Sequence, residues 1–281
     1  MNRAERRRQE RAKKKRTYAN GPETQLEVEM IQPWSDVLMR VKLPQMIVDA
    51  MLDITDQVLQ DPDRKNWGEN LAGQIADEPL IPHKLMENYK IGKEGNVYAF
   101  FMDIVGKYVY HCMIQSATSN MIDQIKNIEW LTQMKSCWII SQWESEYNPI
   151  HIHTECQLST VMYLKIPEFL PSTKPERDDD GCIMFIGGAK NPSHLTRNLL
   201  KWKPKVGDFF VFPAHLQHTV YPFRTDGDFE RRSVSFNADF IDKAVLEKKQ
   251  KEQEEMMKQQ QQQTPQPIQQ APETLTINTE A

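Results

Sequence analysis

Between Ser136 and Phe240 the chain breaks into short apolar or alternating runs set off by Gly, Pro, Asn and Asp, and this pattern constrains the fold more than any other feature. The runs are Ser136–Trp143, Ile150–Ile166, Cys182–Ile186, Asp208–Phe212, His218–Phe223 and Arg232–Phe240. Several short strands at such spacing predict an all-β sandwich or barrel. Asp178-Asp179-Asp180-Gly181 supplies a turn signal before one of them.

The flanks read differently. Residues 1–25 form a basic arm expected to be disordered: the first sixteen hold nine Arg/Lys and two Glu, a net +7, and Gly21-Pro22 breaks any helix. Residues 26–135 read as a support region. Val37, Met39 and Val41 alternate as a first strand, and Pro44 opens a helix in which Ile47, Ala50, Met51, Ile54 and Val58 recur at three- and four-residue steps. Residues 61–83 are loop-rich. Residues 84–129 read as mainly helical, although Tyr98–Tyr110 is β-branched and aromatic enough for either state. Residues 136–242 make the β core. Residues 243–281 are a Lys/Glu/Gln-rich tail, with a short helix to about residue 258 and a disordered remainder.

At 281 residues and 39% hydrophobic, the chain can bury a substantial core. A net charge of -4 gives the whole molecule no strong bias toward nucleic acid or membranes. No apolar run approaches the roughly 20 residues that span a bilayer. The basic start is not followed by an apolar signal segment, so secretion is not expected. Cys112, Cys137, Cys156 and Cys182 form no C-x-x-C pair and read as reduced thiols of a cytoplasmic protein. The basic arm could neutralise phosphates, but it lacks aromatic interleaving for base stacking. A solvated terminus is the preferred reading over nucleic-acid binding.

The chemistry concentrates in three places. Residues i and i+2 of a strand share a face with Cα atoms roughly 6.6 Å apart. His151 and His153 can therefore converge on one metal ion, and a histidine from a distant strand can close one side while leaving the other open. His218 is the candidate third ligand because Thr219, Val220 and Tyr221 carry it into a strand, whereas His215 sits in the turn. His83, His111 and His194 read as structural or exposed. Finally, Arg231, Ser233, Ser235 and Asn237 share one face of a strand whose other face carries Arg232, Val234 and Phe236. Such a polar stripe faces water or a polar ligand. A carboxylate held by the Arg231 fork and the Ser233 hydroxyl would satisfy it. The bland alternatives are an accidental histidine pair and an ordinary solvent-facing strand.

Taken together these parts resemble the 2-oxoglutarate/Fe(II)-dependent oxygenase superfamily, and within it the small oxygenase group of bacteria and tailed phages. The matching string starts at Trp143 and runs through Asn148-Pro149-x-His151-x-His153, Leu158-Ser159, Tyr163-Leu164 and the turn at Gly181. It continues through Gly207-Asp208, Phe212-Pro213 and His218 to Arg231-x-Ser233-x-Ser235-Phe236-Asn237. The resemblance implies a mainly β fold with flanking α: a double-stranded β-helix (jelly roll) core with N-terminal helices. It implies Fe(II) held by His151, His153 and His218. It also implies 2-oxoglutarate as co-substrate, with its distal carboxylate at Arg231 and Ser233 and Tyr163 in the same site. The implied reaction is hydroxylation of an unknown small molecule or protein residue, with release of succinate and CO₂. For a phage-encoded chain the implied location is the bacterial host cytoplasm. The departure is His153, where most of the superfamily has Asp or Glu. Glu155, two residues on, is a candidate outer partner or alternative ligand.

Two other readings stay open. A cupin-like metal dioxygenase not using 2-oxoglutarate shares the roll and H-x-H, but its Glu comes later and the Arg231 strand would be idle. A non-catalytic jelly-roll binding or virion-associated protein would suit the basic arm and Gln-rich tail. The substrate is not written in the sequence; residues 61–83 and 167–181 are expected to shape the entrance.

Overall fold

The structure is a computed structural model that describes residues 36–92, 95–187 and 198–263, with the backbone alone for 259–263. The basic arm, His194 and the Pro/Gln end of the tail lie outside the described residues. In chain order the elements are β1 (Met39–Lys42), α1 (Gln45–Gln60), α2 (His83–Asn88), β2 (Lys90–Ile91), β3 (Gly95–Asn96), α3 (Val97–Ser116) and α4 (Ile122–Lys126). Then come β4 (Trp130–Gln142), β5 (Asn148–His151), β6 (Leu158–Lys165), β7 (Ile183–Ile186), β8 (Leu199–Trp202), β9 (Asp208–Pro213), β10 (Gln217–Val220), β11 (Arg231–Asp242) and α5 (Lys243–Gln263).

Two antiparallel sheets carry the core. One has the order β1-β9-β6-β11-β4 and the other β5-β10-β7-β8. From β4 onward the chain crosses between the sheets at every step except β7 to β8, which is the winding of a double-stranded β-helix. The strand period explains how the larger sheet is covered on both faces. Met162, Leu164, Phe209, Val211, Val234 and Phe236 point outward and pack with the buried faces of α1 and α3. Val161, Tyr163, Phe210 and Phe212 point inward and meet Ile183 and Phe185 of the smaller sheet. Burying each such side chain contributes roughly 1.5–3 kcal/mol.

The helices follow local rules. Pro44, at φ −59°, caps α1, and Ile47, Ala50, Met51, Ile54 and Val58 are all buried as their spacing predicts. Tyr98–Tyr110 is helical. The Asn96 side chain accepts from the Ala99 amide at 2.8 Å, and Phe101, Met102, Val105, Tyr108 and Val109 form one buried stripe at helical steps. No helix among the described residues is long and apolar enough to cross a membrane.

Three expectations need correction. The run Ile150–Ile166 is two strands in different sheets, because residues 152–157 turn and Glu155 takes a left-handed backbone with φ 59°. His151 therefore ends β5, and His153 lies beyond it. Strand β8 escaped the sequence reading because Leu199 and Leu200 are exposed on a sheet edge and give no alternation. Helix α5 runs to Gln263 rather than to residue 258.

The loop-rich segment before α2 also joins the larger sheet. Ser141 N donates to Asp77 O at 3.2 Å, Ile139 N to Pro79 O at 2.9 Å, and Ile81 N to Cys137 O at 2.8 Å. Residues 77–81 thereby cover the free edge of β4, which would otherwise present unpaired backbone groups.

Candidate metal centre and anion pocket

Register, rather than proximity in sequence, assembles the histidines. Across β5 and β10, His218 stands directly opposite His151, and their ring centroids lie 4.2 Å apart. His153 N donates to Ala214 O at 2.9 Å, which pins the extension after β5 beside the β9–β10 turn. Its Nε2 lies 3.3 Å from His218 Nε2. One ligand atom from each of the three residues falls within 4.8 Å of the others.

The proton positions favour a cation at this point. His151 Nδ1 contacts Pro149 O at 2.8 Å and His218 Nδ1 contacts Leu216 O at 2.9 Å. A carbonyl can only accept, so each proton sits on Nδ1 and each Nε2 keeps its lone pair. Burial holds all three imidazoles in the neutral, ligating form. His153 is depressed to about 3 by burial and then by the neighbouring His218 and His151, and His218 to about 4 by burial and then by His151. His151 is also lowered, chiefly by burial. Three neutral nitrogen donors converging in a partly dry site fit a divalent ion. Imidazole suits Zn, Cu, Fe and Ni alike, so the donor set alone does not select iron. Glu155 is exposed and is not among the three residues that converge.

The histidines line a cavity of about 620 Å³ between the sheets. The polar stripe of β11 lines it too: Arg231, Ser233, Ser235 and Asn237 face inward, with Tyr163 opposite Ser233 across β6. Arg231 is 1% exposed, and its guanidinium carbon lies 5.0 Å from the Tyr163 ring centroid. Its Nη1 donates to Gln142 Oε1 at 3.1 Å, while Nε has no partner. No carboxylate lies within 4.0 Å of it among the described residues. The Tyr163 hydroxyl is likewise buried and unpartnered, and burial pushes its phenol up to about 12. A buried cation without a counter-ion and a buried hydroxyl without a partner cost free energy unless an anion completes them.

Residues 136–237 match the family model described as "Putative 2OG-Fe(II) oxygenase". No curated protein matches the chain. Among solved structures, the chain is similar to a Pseudomonas putida prolyl-4-hydroxylase (13% identity, TM-score 0.41, covering 72% of this chain and 91% of that one). It is also similar to a 2OG-Fe(II) oxygenase family oxidoreductase from Burkholderia pseudomallei (13%, 0.40, 72% and 85%). A third is a Trichoplax adhaerens prolyl hydroxylase in complex with a hypoxia inducible factor peptide fragment (13%, 0.40, 72% and 83%).

Other candidates fall elsewhere. His215 is exposed and meets Asp36 at 3.1 Å. Trp67, Asn70, Leu71, Ala72 and Glu78 bring the segment 61–83 to the cavity, but no residue of 167–181 lines it. That loop packs away from the site, with Phe169 stacked on Phe223 at 4.9 Å. Sequence reasoning missed Gln142 and Glu78. Gln142 carried a weak signal, as a polar residue ending the inward row that also holds Trp138 and Ile140. Glu78 carried none, because nothing local marks it as the continuation of a sheet.

Proposed function

We propose that this chain is a 2-oxoglutarate- and Fe(II)-dependent dioxygenase in which His151, His153 and His218 hold the metal and Arg231, Ser233 and Tyr163 hold the co-substrate. The observation that carries the reading is the pairing of two donor sets in one cavity. Three neutral imidazoles converge on one point, and a fully buried guanidinium, with no carboxylate partner among the described residues, faces the same space.

The division of labour follows from the residues. Arg231 offers parallel N–H donors to a carboxylate in a dry site, where charge-assisted bonds are strongest. Gln142 orients that guanidinium, while Ser233 and Tyr163 can donate hydroxyl protons to the same anion. The two backbone carbonyls at Pro149 and Leu216 lock the rings of His151 and His218 in the ligating tautomer. Bound iron supplies the oxygen chemistry: substrate C–H, 2-oxoglutarate and O₂ become substrate C–OH, succinate and CO₂. His153 in place of the usual carboxylate leaves the metal site one unit more positive.

In this reading residues 136–242 carry the chemistry, residues 26–135 support the sheet, and residues 243–281 are a tail. The four free thiols suit a reducing compartment, and we place the protein in a bacterial cytoplasm, as a phage-encoded chain would be. A cupin-like enzyme that ignores 2-oxoglutarate would leave Arg231 buried without purpose. The test is anaerobic calorimetry with Mn(II) and then 2-oxoglutarate, followed by O₂ uptake with Fe(II). Metal-dependent 2-oxoglutarate binding is expected; metal binding without it would favour the cupin-like enzyme, and neither would favour a binding protein.

A further inference from the structure

Glu78 is the second buried charged group of the cavity, and the dioxygenase chemistry does not use it. It is 1% exposed, and its Oε2 has no hydrogen-bond partner. Among the described residues no Lys, Arg or His lies within ion-pairing distance of it. Its position is set by backbone pairing. The bridges Asp77–Ser141 and Leu80–Trp138 put Glu78 opposite Ile140. Ile140 in turn stands opposite Ser233, and Ser233 opposite Tyr163. Glu78 therefore sits on the same inward row as the proposed anion pocket, two strand spacings or roughly 10 Å from Ser233.

Around it the wall is close-fitting. A Cβ added at Gly73 would meet both Glu78 carboxylate oxygens at 3.2 Å and Asn148 Oδ1 at 2.6 Å. Asn70 and Ala72 of the same segment are exposed, as are Ile152 and Thr154, and together these lining residues mark the mouth. Glu78 lies on the wall between that mouth and the buried base at Arg231.

We propose that Glu78 is the specificity-determining residue of the substrate subsite, and that it takes a substrate carrying a protonated nitrogen, an ammonium or a guanidinium, whose N–H groups donate to its carboxylate. One cavity then holds two complementary charges: an anion against Arg231 and a cation against Glu78. The two residues do not neutralise each other, since no ion pair joins them. Burial, and then the Glu146 carboxylate, raise the Glu78 carboxyl to about 7, and a cation beside it would favour the ionised form. The proposal rests on the oxygenase reading only for what happens to the substrate after it binds.

The test uses the full chain loaded with Mn(II) and 2-oxoglutarate. The probes are n-butylammonium and n-butylguanidinium ions, with 1-butanol as the neutral control, and dissociation constants are read by ligand-observed NMR. At least one cation should bind about tenfold or more tightly than 1-butanol, and Glu78→Gln should erase that preference. Glu78→Gln keeps the side-chain shape and should leave 2-oxoglutarate affinity unchanged. Glu78→Asp, which withdraws the charge without removing it, should weaken the cation by an intermediate factor and serves if the Gln variant fails to fold. Equal binding of the cations to wild type and variant, or no preference over 1-butanol, overturns the inference. If 2-oxoglutarate binds normally in that case, the oxygenase reading survives. If 2-oxoglutarate fails to bind while the cation preference holds, the oxygenase reading falls and the Glu78 site stands.

Discussion

Arg231 and Arg232 are neighbours in the chain and face opposite sides of the larger sheet. Arg231 points into the cavity, 1% exposed and with no carboxylate partner among the described residues, whereas Arg232 points toward helix α1 and pairs with Glu230 and Asp56 and bonds the Thr55 hydroxyl at 3.0 Å. One lines the cavity; the other ties a strand to a helix.

The two alanine variants should therefore fail in different ways. Arg231→Ala should weaken 2-oxoglutarate binding by roughly ten- to a hundred-fold, the loss expected for a charge-assisted bond, and leave Mn(II) binding nearly intact. Arg232→Ala should leave 2-oxoglutarate affinity alone and destabilise the fold by about 2 kcal/mol, since Glu230 keeps only Lys165 and Ser141 as partners. Calorimetry and urea melts on both proteins check this. An unchanged 2-oxoglutarate affinity in Arg231→Ala would move the anion pocket elsewhere.

His151→Ala and His218→Ala should each abolish stoichiometric metal binding. The two rings stand opposite each other in register, and neither has a substitute donor within the cluster. Metal analysis of the purified variants decides the point; full occupancy in both would place the site elsewhere.

His153→Asp should preserve or tighten Fe(II) binding, because a carboxylate restores the usual facial set of two histidines and one acid. Were His153 only a packed ring against Trp138 and Phe212, the change would bury an unpaired charge and lower the melting temperature. A large melting loss with unchanged metal affinity would rule out the ligand role.

Glu78 should make the substrate-free protein less stable as pH rises. Its carboxyl titrates near 7 in the fold against an ordinary value of 4.5, so the unfolded chain releases the proton first. The stabilising contribution is complete below pH 4.5, declines between 4.5 and about 7, and is gone above that. At 1.36 kcal/mol per unit the loss approaches about 3 kcal/mol. Glu78→Gln should flatten this slope in denaturant titrations at a series of pH values. A slope that persists in the variant would assign the titration to another group.

Much of this was readable from the residues, because it depends on period and order. Alternation along Arg231–Asn237 predicts which arginine faces inward, since side chains of a strand point to opposite faces in turn. The apolar spacing of Ile47 to Val58 identifies the face that α1 buries. Strand β8 was not readable, because an exposed edge strand need not alternate. The break within Ile150–Ile166 was also hidden: a left-handed Glu155 is a choice of backbone that apolar pattern does not encode. The sequence by itself determined that a β core would carry an H-x-H pair, a distant histidine and an inward arginine. Only the tertiary structure decided that His151 faces His218 across two strands, that Arg231 has no counter-ion among the described residues, and that residues 77–81 extend the sheet and bring Glu78 into the same cavity. Those three facts depend on pairing between segments far apart in the chain, and such pairing is set by the packing of the whole core rather than by any local run of residues.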